Sequence, residues 1–216
     1  MIKIKSLTVK NFMSVGNTTQ GVDFNKQQLT LVLGENLDQG GDDSGSRNGT
    51  GKTTIINALS YALYGQALTN IRRDNLVNKT NNKGMLVTLT FDKDGKEYHI
   101  ERGRKPNTLK FKIDDKEQEL TDESQGDSRK TQEDINNLLG MSHDMFKHIV
   151  ALNTYTEPFL ALKNNDQRAI IEQLLGITLL SEKADLLREQ IRINRDRLTE
   201  ENARISAVKD SNEKIK

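Results

Sequence analysis

The sequence predicts an α/β fold organised around a phosphate-binding loop, with a coiled-coil arm leaving it. Three observations predict this. The apolar run Leu29-Thr30-Leu31-Val32-Leu33-Gly34 reads as a buried strand. Beyond it, Asn48-Gly49-Thr50-Gly51-Lys52-Thr53-Thr54 runs straight into the apolar Ile55, Ile56, Ala58 and Leu59 of an amphipathic helix. From Leu180 onward the apolar residues follow a heptad.

Strand, glycine loop, Lys-Thr and helix, in that order, make a phosphate cradle. Gly49 and Gly51 let the backbone curl so that its N–H groups face a polyphosphate. The helix opening near Lys52 adds the positive end of its dipole. The run Asn48, Gly49, Thr50, Gly51, Lys52, Thr53 and Thr54 is therefore the candidate site for a nucleotide. Lys52 would reach the β- and γ-phosphates, and the Thr53 hydroxyl would take one Mg²⁺ position. The strict motif wants glycine where Ser46 stands. Gly34-Glu35-Asn36 looks like the start of the loop and Asn48 to Thr53 like its end. Residues 37–47, rich in Gly, Asp and Ser, then form an insertion. Its acidic residues Asp38, Asp42 and Asp43 point it away from phosphate. It reads as a surface loop or as a contact loop for a partner or DNA.

The remaining elements follow in order. Residues 2–12 alternate, with Ile2, Ile4, Leu7, Val9 and Phe12 apolar, and predict a strand with one wet face. Val22 and Phe24 predict a short one. The helix runs from Lys52 to Tyr64 and stops at Gly65. Ile71 to Lys83 is polar and irregular. Met85–Phe91 is a strand, Asp92 to Lys96 a hairpin turn built on Gly95, and Glu97–Arg102 the return strand. Leu109–Ile113 is a further strand, and 121–130 a polar loop. Short helices follow at Thr131–Leu139 and Ser142–Lys147, separated by Gly140. Residues 149–160 read as strand and loop, and a helix from Asn165 to Leu175 ends at Gly176. In the arm, Leu180, Ala184, Leu187, Ile191, Asn194, Leu198, Glu201, Ile205, Val208, Asn212 and Ile215 form an unbroken seam. Such a stripe needs a partner helix. Lys216 ends the sequence inside the pattern without a stop signal, so the chain reads as cut. Residues 1–176 are the expected head lobe and 177–216 the arm.

Composition narrows the function. A chain of 216 residues can bury a sizeable core. A net charge of +1 gives no global signature for nucleic acid, so any DNA site is a local patch. Without cysteine there is no disulfide and no cysteine-ligated zinc. His99, His143 and His148 lack metal-ligand spacing. No signal core and no membrane-length apolar window is present. The chain reads as cytoplasmic.

Lys10-Asn11-Phe12-Met13-Ser14, Val22-Asp23-Phe24, the split loop and Ala58-Leu59-Ser60-Tyr61-Ala62-Leu63-Tyr64-Gly65 occur in the order seen in the structural-maintenance-of-chromosomes (SMC) ATPases. Phe146 to Leu152, Phe159-Leu160, Arg168 and Glu172 to Gly176 resemble the approach to the coiled coil in their DNA double-strand-break repair branch. The likeness is strongest to the ATPase subunits of T4-like bacteriophage recombination nucleases. It implies an ABC-type head whose N- and C-terminal segments fold together. Two heads would sandwich ATP and Mg²⁺ and gate double-stranded DNA ends for a partner nuclease. The head would be a homodimer and needs no membrane.

The resemblance carries residues with it. It places Lys10 and Asn11, with Ser14, near the nucleotide, although Met13 stands where relatives often have a basic residue, and Lys10 could equally be a solvated strand end. It puts Asn153 where the family has a metal-water glutamine. Thr154 or Thr156 could hold that role instead. No Ser-Gly-Gly signature is present. Leu86 to Asp92 is the one Walker B candidate, and its alternation and following turn argue for an antiparallel strand. Signature, Walker B and catalytic glutamate are expected beyond Lys216, which leaves no catalytic residue here and little hydrolysis by this chain alone.

Lys93, Lys96, Arg102, Arg104, Lys105, Lys110 and Lys112 crowd the hairpin region and could track DNA phosphates. Arg72, Arg73, Lys79 and Lys83 are a second candidate. Rival readings are a GTPase, because Asn78-Lys79-Thr80-Asn81 nearly makes a guanine motif, a transporter ATPase, and a coiled-coil scaffold retaining a nucleotide fold.

Overall fold

A computed structural model describes residues 2–26, 29–36, 49–114, 116–117, 128–152 and 157–215. The chain divides into two units, Met1–Pro158 and Phe159–Lys216.

The first unit is a six-stranded sheet with helices on one face. Its strands are β1 (Ile2–Lys10), β2 (Gln20–Asp23), β3 (Met85–Lys93), β4 (Lys96–Arg104), β5 (Thr108–Ile113) and β6 (Lys116–Glu117). Their spatial order is β2-β1-β3-β4-β5-β6, and every pair is antiparallel. The β3–β4 register closes at Lys93 opposite Lys96. This leaves a two-residue turn in which Asp94 (φ 52°) and Gly95 (φ 80°) both take left-handed angles, as a tight hairpin matched to strand twist requires. β3 contains the Leu86–Asp92 run, and antiparallel neighbours on both sides exclude it as a Walker B strand.

Alternation along the strands sends Leu7, Val9, Val87, Leu89, Phe91, Tyr98, Ile100 and Phe111 to one buried face. The rings of Phe91, Tyr98 and Phe111 stack across β3, β4 and β5 with centroids 5.3 and 5.9 Å apart. Helix α1 (Lys52–Tyr64) covers this face with Ala58, Leu59, Ala62 and Leu63, and α2 (Ser128–Leu139) adds Ile135 and Leu139. The opposite face is polar: Thr8 bonds Thr88, and Thr90 bonds His99 at 3.1 Å.

Two strands expected from sequence are not formed. Leu29–Leu33 is irregular, with Leu29, Leu31, Val32 and Leu33 at 102, 79, 53 and 67 % exposure. A buried strand needs a ladder of backbone partners, and none of the described strands pairs with it. Nor is there a strand among the described residues of 149–160. Ser142 caps α3 (His143–Met145) by accepting from the Met145 N–H at 3.2 Å. The chain then continues into a π-turn, Phe146–Val150, closed by Ala151 N–H to Phe146 O at 2.8 Å. Phe146 is held there by Tyr64, ring to ring at 5.4 Å.

The second unit holds a 3₁₀ turn (Phe159–Ala161), α4 (Asn164–Leu174) and α5 (Thr178–Ile215). α5 is one helix of 38 residues, about 57 Å long at 1.5 Å per residue. Leu180, Leu187, Ile191, Leu198, Ile205 and Val208 of its seam are exposed. Ion pairs such as Arg188–Asp185 and Arg192–Glu189 line its surface. No helix among the described residues is long and apolar enough to cross a membrane.

Candidate functional site

The cradle forms where α1 begins. Gly51 caps the helix in the left-handed region (φ 86°), and Gly49 is left-handed too (φ 75°). The first turn of α1 carries no acidic residue, so nothing in it competes for the positive end of the dipole. Lys52 Nζ donates to Thr50 Oγ1 at 3.2 Å. Gly34 abuts the same pair. A Cβ added there would lie 1.8 Å from Thr50 Oγ1 and 3.2 Å from Lys52 Nζ. The two pieces of the split loop thus meet at Gly34 and Thr50, although 37–47 separate them in sequence. This loop, with its glycines, ammonium group and unopposed helix N-terminus, fits a polyphosphate. Asn48, the insertion 37–47, Asn153, Thr154 and Thr156 lie outside the described residues.

The other expected residues separate into two groups. Thr53 is exposed on the first turn of α1. Thr54 points the other way, buried, with its hydroxyl 3.0 Å from that of Ser14. Lys10 ends β1 and is half-buried. Asn11 is 3 % exposed and its amide is fully used: Nδ2 donates to Asn17 Oδ1 and Gly84 O, both at 3.2 Å, and Oδ1 accepts from Asn81 at 2.8 Å. It therefore holds the loop.

That loop is over-determined. Asn11 and Met13 take positive φ (51° and 49°). Asn78, also buried, donates its amide N–H to Met13 O at 3.0 Å and accepts the Thr80 and Asn81 N–H groups at 3.1 Å. The buried asparagines fix residues 11–16 against α1, which the loop touches through Ser14 at Thr54 and through Phe12, whose ring lies 5.6 Å from that of Tyr61. Sequence reading gave Asn78 to a near-guanine motif. Its bonds to the amides two and three residues on show an Asx turn.

The seven basic candidates do not form one patch. Arg102 is buried on the face beneath α1. Its Nε donates to Ala62 O at 3.1 Å and its Nη2 to Gln132 Oε1 at 2.5 Å, and the group sits 5.8 Å from the Tyr61 ring centroid. Gln132 in turn donates to Leu63 O at 2.9 Å. Arg102 and Gln132 thus satisfy carbonyls at the C-terminal end of α1. Burial brings the Arg102 guanidinium down to about 10, with the Tyr61 ring partly offsetting it. It is spent on packing. Lys93 bonds Leu138 O, Arg104 pairs with Asp74 at 2.7 Å, and Lys105 bonds Asn82 at 2.8 Å. Lys96 is exposed at the hairpin turn, while Lys110 and Lys112 stand opposite Glu101 and His99 on the polar face. Lys96 and Arg104 are at opposite ends of β4, about 27 Å apart. Among the described residues no cluster of His, Cys, Asp or Glu could hold a metal, so a magnesium ion here would depend on Thr53 and on phosphate oxygens.

With this geometry in place, comparison with known proteins decides the family. Residues 6–216 match the AAA domain family AAA_23. The chain belongs to that family. It is similar to the protein named exonuclease subunit 2 of Escherichia phage RB69, 34 % identical over 192 residues that make up 88 % of this chain and 31 % of that one. The exonuclease subunit 2 of Enterobacteria phage T4 is 35 % identical over 83 % of this chain and 30 % of its own length. A DNA double-strand break repair Rad50 ATPase of Archaeoglobus fulgidus is 34 % identical over 47 % of this chain and 10 % of its own. The chain thus spans less than a third of the length of these relatives. Among solved structures, an Smc head domain with an extended coiled coil from Pyrococcus furiosus, solved with the C-terminal domain of ScpA, superposes with a TM-score of 0.66. The match is at 19 % identity and covers 97 % of this chain and 51 % of that one. The fold is that of an ABC-type SMC head, as the sequence predicted, and the likeness to double-strand-break repair ATPases holds.

Proposed function

We propose that residues 1–176 are the ATP-binding lobe, and 177–216 the ascending arm, of an SMC-like ATPase that works with a nuclease on DNA ends in recombination and repair. The observation that carries this reading is the meeting of Gly34 with Thr50 and Lys52 at the uncapped N-terminus of α1. Lys52 and the loop amides bind the phosphates, and Thr53 holds Mg²⁺, which when bound neutralises phosphate charge. Ser14, fixed by the asparagine cluster, braces α1 against the loop. Asn153 remains the candidate for metal-bound water.

The exposed apolar strip Leu29–Leu33 supports a further segment of the ATPase folding onto this lobe. That segment carries signature, Walker B and catalytic glutamate, since β3 cannot serve as Walker B. Two completed heads dimerise around ATP in the host cytoplasm and gate duplex ends for the nuclease. Lys96, Lys110 and Lys112 carry the DNA contact in this reading.

The test is calorimetry with Mg-ATP, on the chain alone and mixed with the C-terminal segment. Lys52→Ala should abolish binding with the fold intact. Reconstitution should create ATPase activity that DNA and the nuclease raise. Unchanged affinity in Lys52→Ala, or no activity on reconstitution, overturns the proposal.

A further inference from the structure

A second basic site lies at the other end of α1, roughly 20 Å from the cradle for a helix of 13 residues. There, residues 66–73 and α3 enclose a cleft of about 500 Å³. Its charged lining is Arg72, Arg73 and Lys147 against one carboxylate, Asp144, with His143 between them.

Three features mark this cleft as built for an anion. First, its cations have no ion-pair partner among the described residues. Asp74, next to Arg73 in the chain, is taken by Arg104 at 2.7 Å. Among the described residues, the side chains of Arg72, Arg73 and Lys147 form no ion pair or hydrogen bond. Second, Arg73 is placed beside another cation. Arg73 Nη2 and Arg102 Nη1 lie 3.9 and 2.8 Å from the position of a Gly65 Cβ, so two guanidinium groups share one corner without a carboxylate. Arg102 is committed to the helix carbonyls, which leaves Arg73 to face the cleft. Third, Thr69 lines the cleft, and its hydroxyl is turned away from solvent without a hydrogen-bond partner among the described residues. A buried hydroxyl costs free energy unless something bonds it.

We infer that this cleft binds a phosphate group, with Arg72, Arg73 and Lys147 supplying charge and the Thr69 hydroxyl rotating out to donate to it. The phosphate comes either from a small phosphorylated ligand or from the backbone of a nucleic acid. The site is independent of the nucleotide reading, because Lys52 and the glycine loop take no part in it.

The experiment titrates ¹⁵N-labelled chain carrying Lys52→Ala, which silences the cradle, with pyrophosphate and with a short DNA duplex. Amide shifts are followed at residues 66–73 and 143–147. The expected result is saturable shifts there that weaken with added salt. They should fall at least tenfold in affinity when Arg72, Arg73 and Lys147 are all changed to Gln. Arg72 and Arg73 are exposed and Lys147 half-exposed, so the unfolding midpoint should hold. Shifts with pyrophosphate alone assign a small ligand. Shifts with the duplex at lower concentration assign the backbone. No shift in either titration, or equal shifts in the triple variant, overturns the site. Loss of ATP binding in Lys52→Ala with these shifts retained separates this inference from the proposed function.

Discussion

Gly34→Ala tests whether the two pieces of the split loop act as one site. The added Cβ would fall 1.8 Å from Thr50 Oγ1 and 2.6 Å from Thr50 Cβ. Rotating the threonine swings its hydroxyl and methyl but leaves Cβ in place, so the Cβ clash persists. An unstrained carbon contact needs about 3.5 Å, and the two segments must therefore part by roughly 1 Å or more. Displacement on that scale costs on the order of 100-fold where binding depends on positioning, or about 2.8 kcal/mol. Gly34 is half-exposed and lies outside the sheet, so the unfolding midpoint should change little. Mg-ATP affinity measured by calorimetry should fall by about that factor, with urea unfolding as the control. Thr50→Gly removes both clashing atoms, and the double variant should recover most of the loss relative to Thr50→Gly alone. Wild-type affinity in Gly34→Ala, or a double variant no better than the single, would show that residues 34 and 50 do not share a ligand.

Other outcomes follow from the buried polar groups. Asn78→Ala leaves Met13 O and the Thr80 and Asn81 amides without their partner, and should cost about 2–4 kcal/mol in urea unfolding while loosening the Ser14–Thr54 contact. His143 is held below its ordinary value by burial and by Lys147, with Asp144 opposing. The unfolded chain therefore binds its proton first, and stability should fall as pH drops below about 6.5. His143→Gln should flatten that fall in a series of thermal midpoints from pH 7.5 to 5.

How much of this was legible depended on where the determinants lie. Helix α1 was readable to the residue because its ends are local: Gly51 and Gly65 are both left-handed and bracket the apolar run. The Asp94-Gly95 turn was readable for the same reason. Arg102 was misplaced, although the signal was present. It shares a strand face with Tyr98 and Ile100, so strict alternation points it inward. Asn11 carried no such signal. Its partners at 81 and 84 are about seventy residues away, and only the folded sheet brings them together. Leu29–Leu33 was read as a strand from its apolar run, but pairing is a property of neighbours, and no described strand pairs with it.

That last failure leads to the sharpest test of how the head is completed. Leu29, Leu31, Val32 and Leu33 expose a run of apolar side chains, and α5 exposes a heptad seam. The two demands differ in kind. A seam is covered by any helix of matching heptad. The strip needs backbone hydrogen bonds from an adjacent strand as well as apolar cover. In the proposed reading one continuous segment supplies both. Hydrogen exchange separates them. A helical peptide matched to α5 should protect amides within 178–215 and leave 29–33 exchanging freely. A segment that includes the strand should protect both regions, and nucleotide affinity should rise with protection at 29–33, because Gly34 ends that strand. If 29–33 stays unprotected while ATPase activity appears, the lobe is not completed through this strip, and Gly34 reaches Thr50 by some other support.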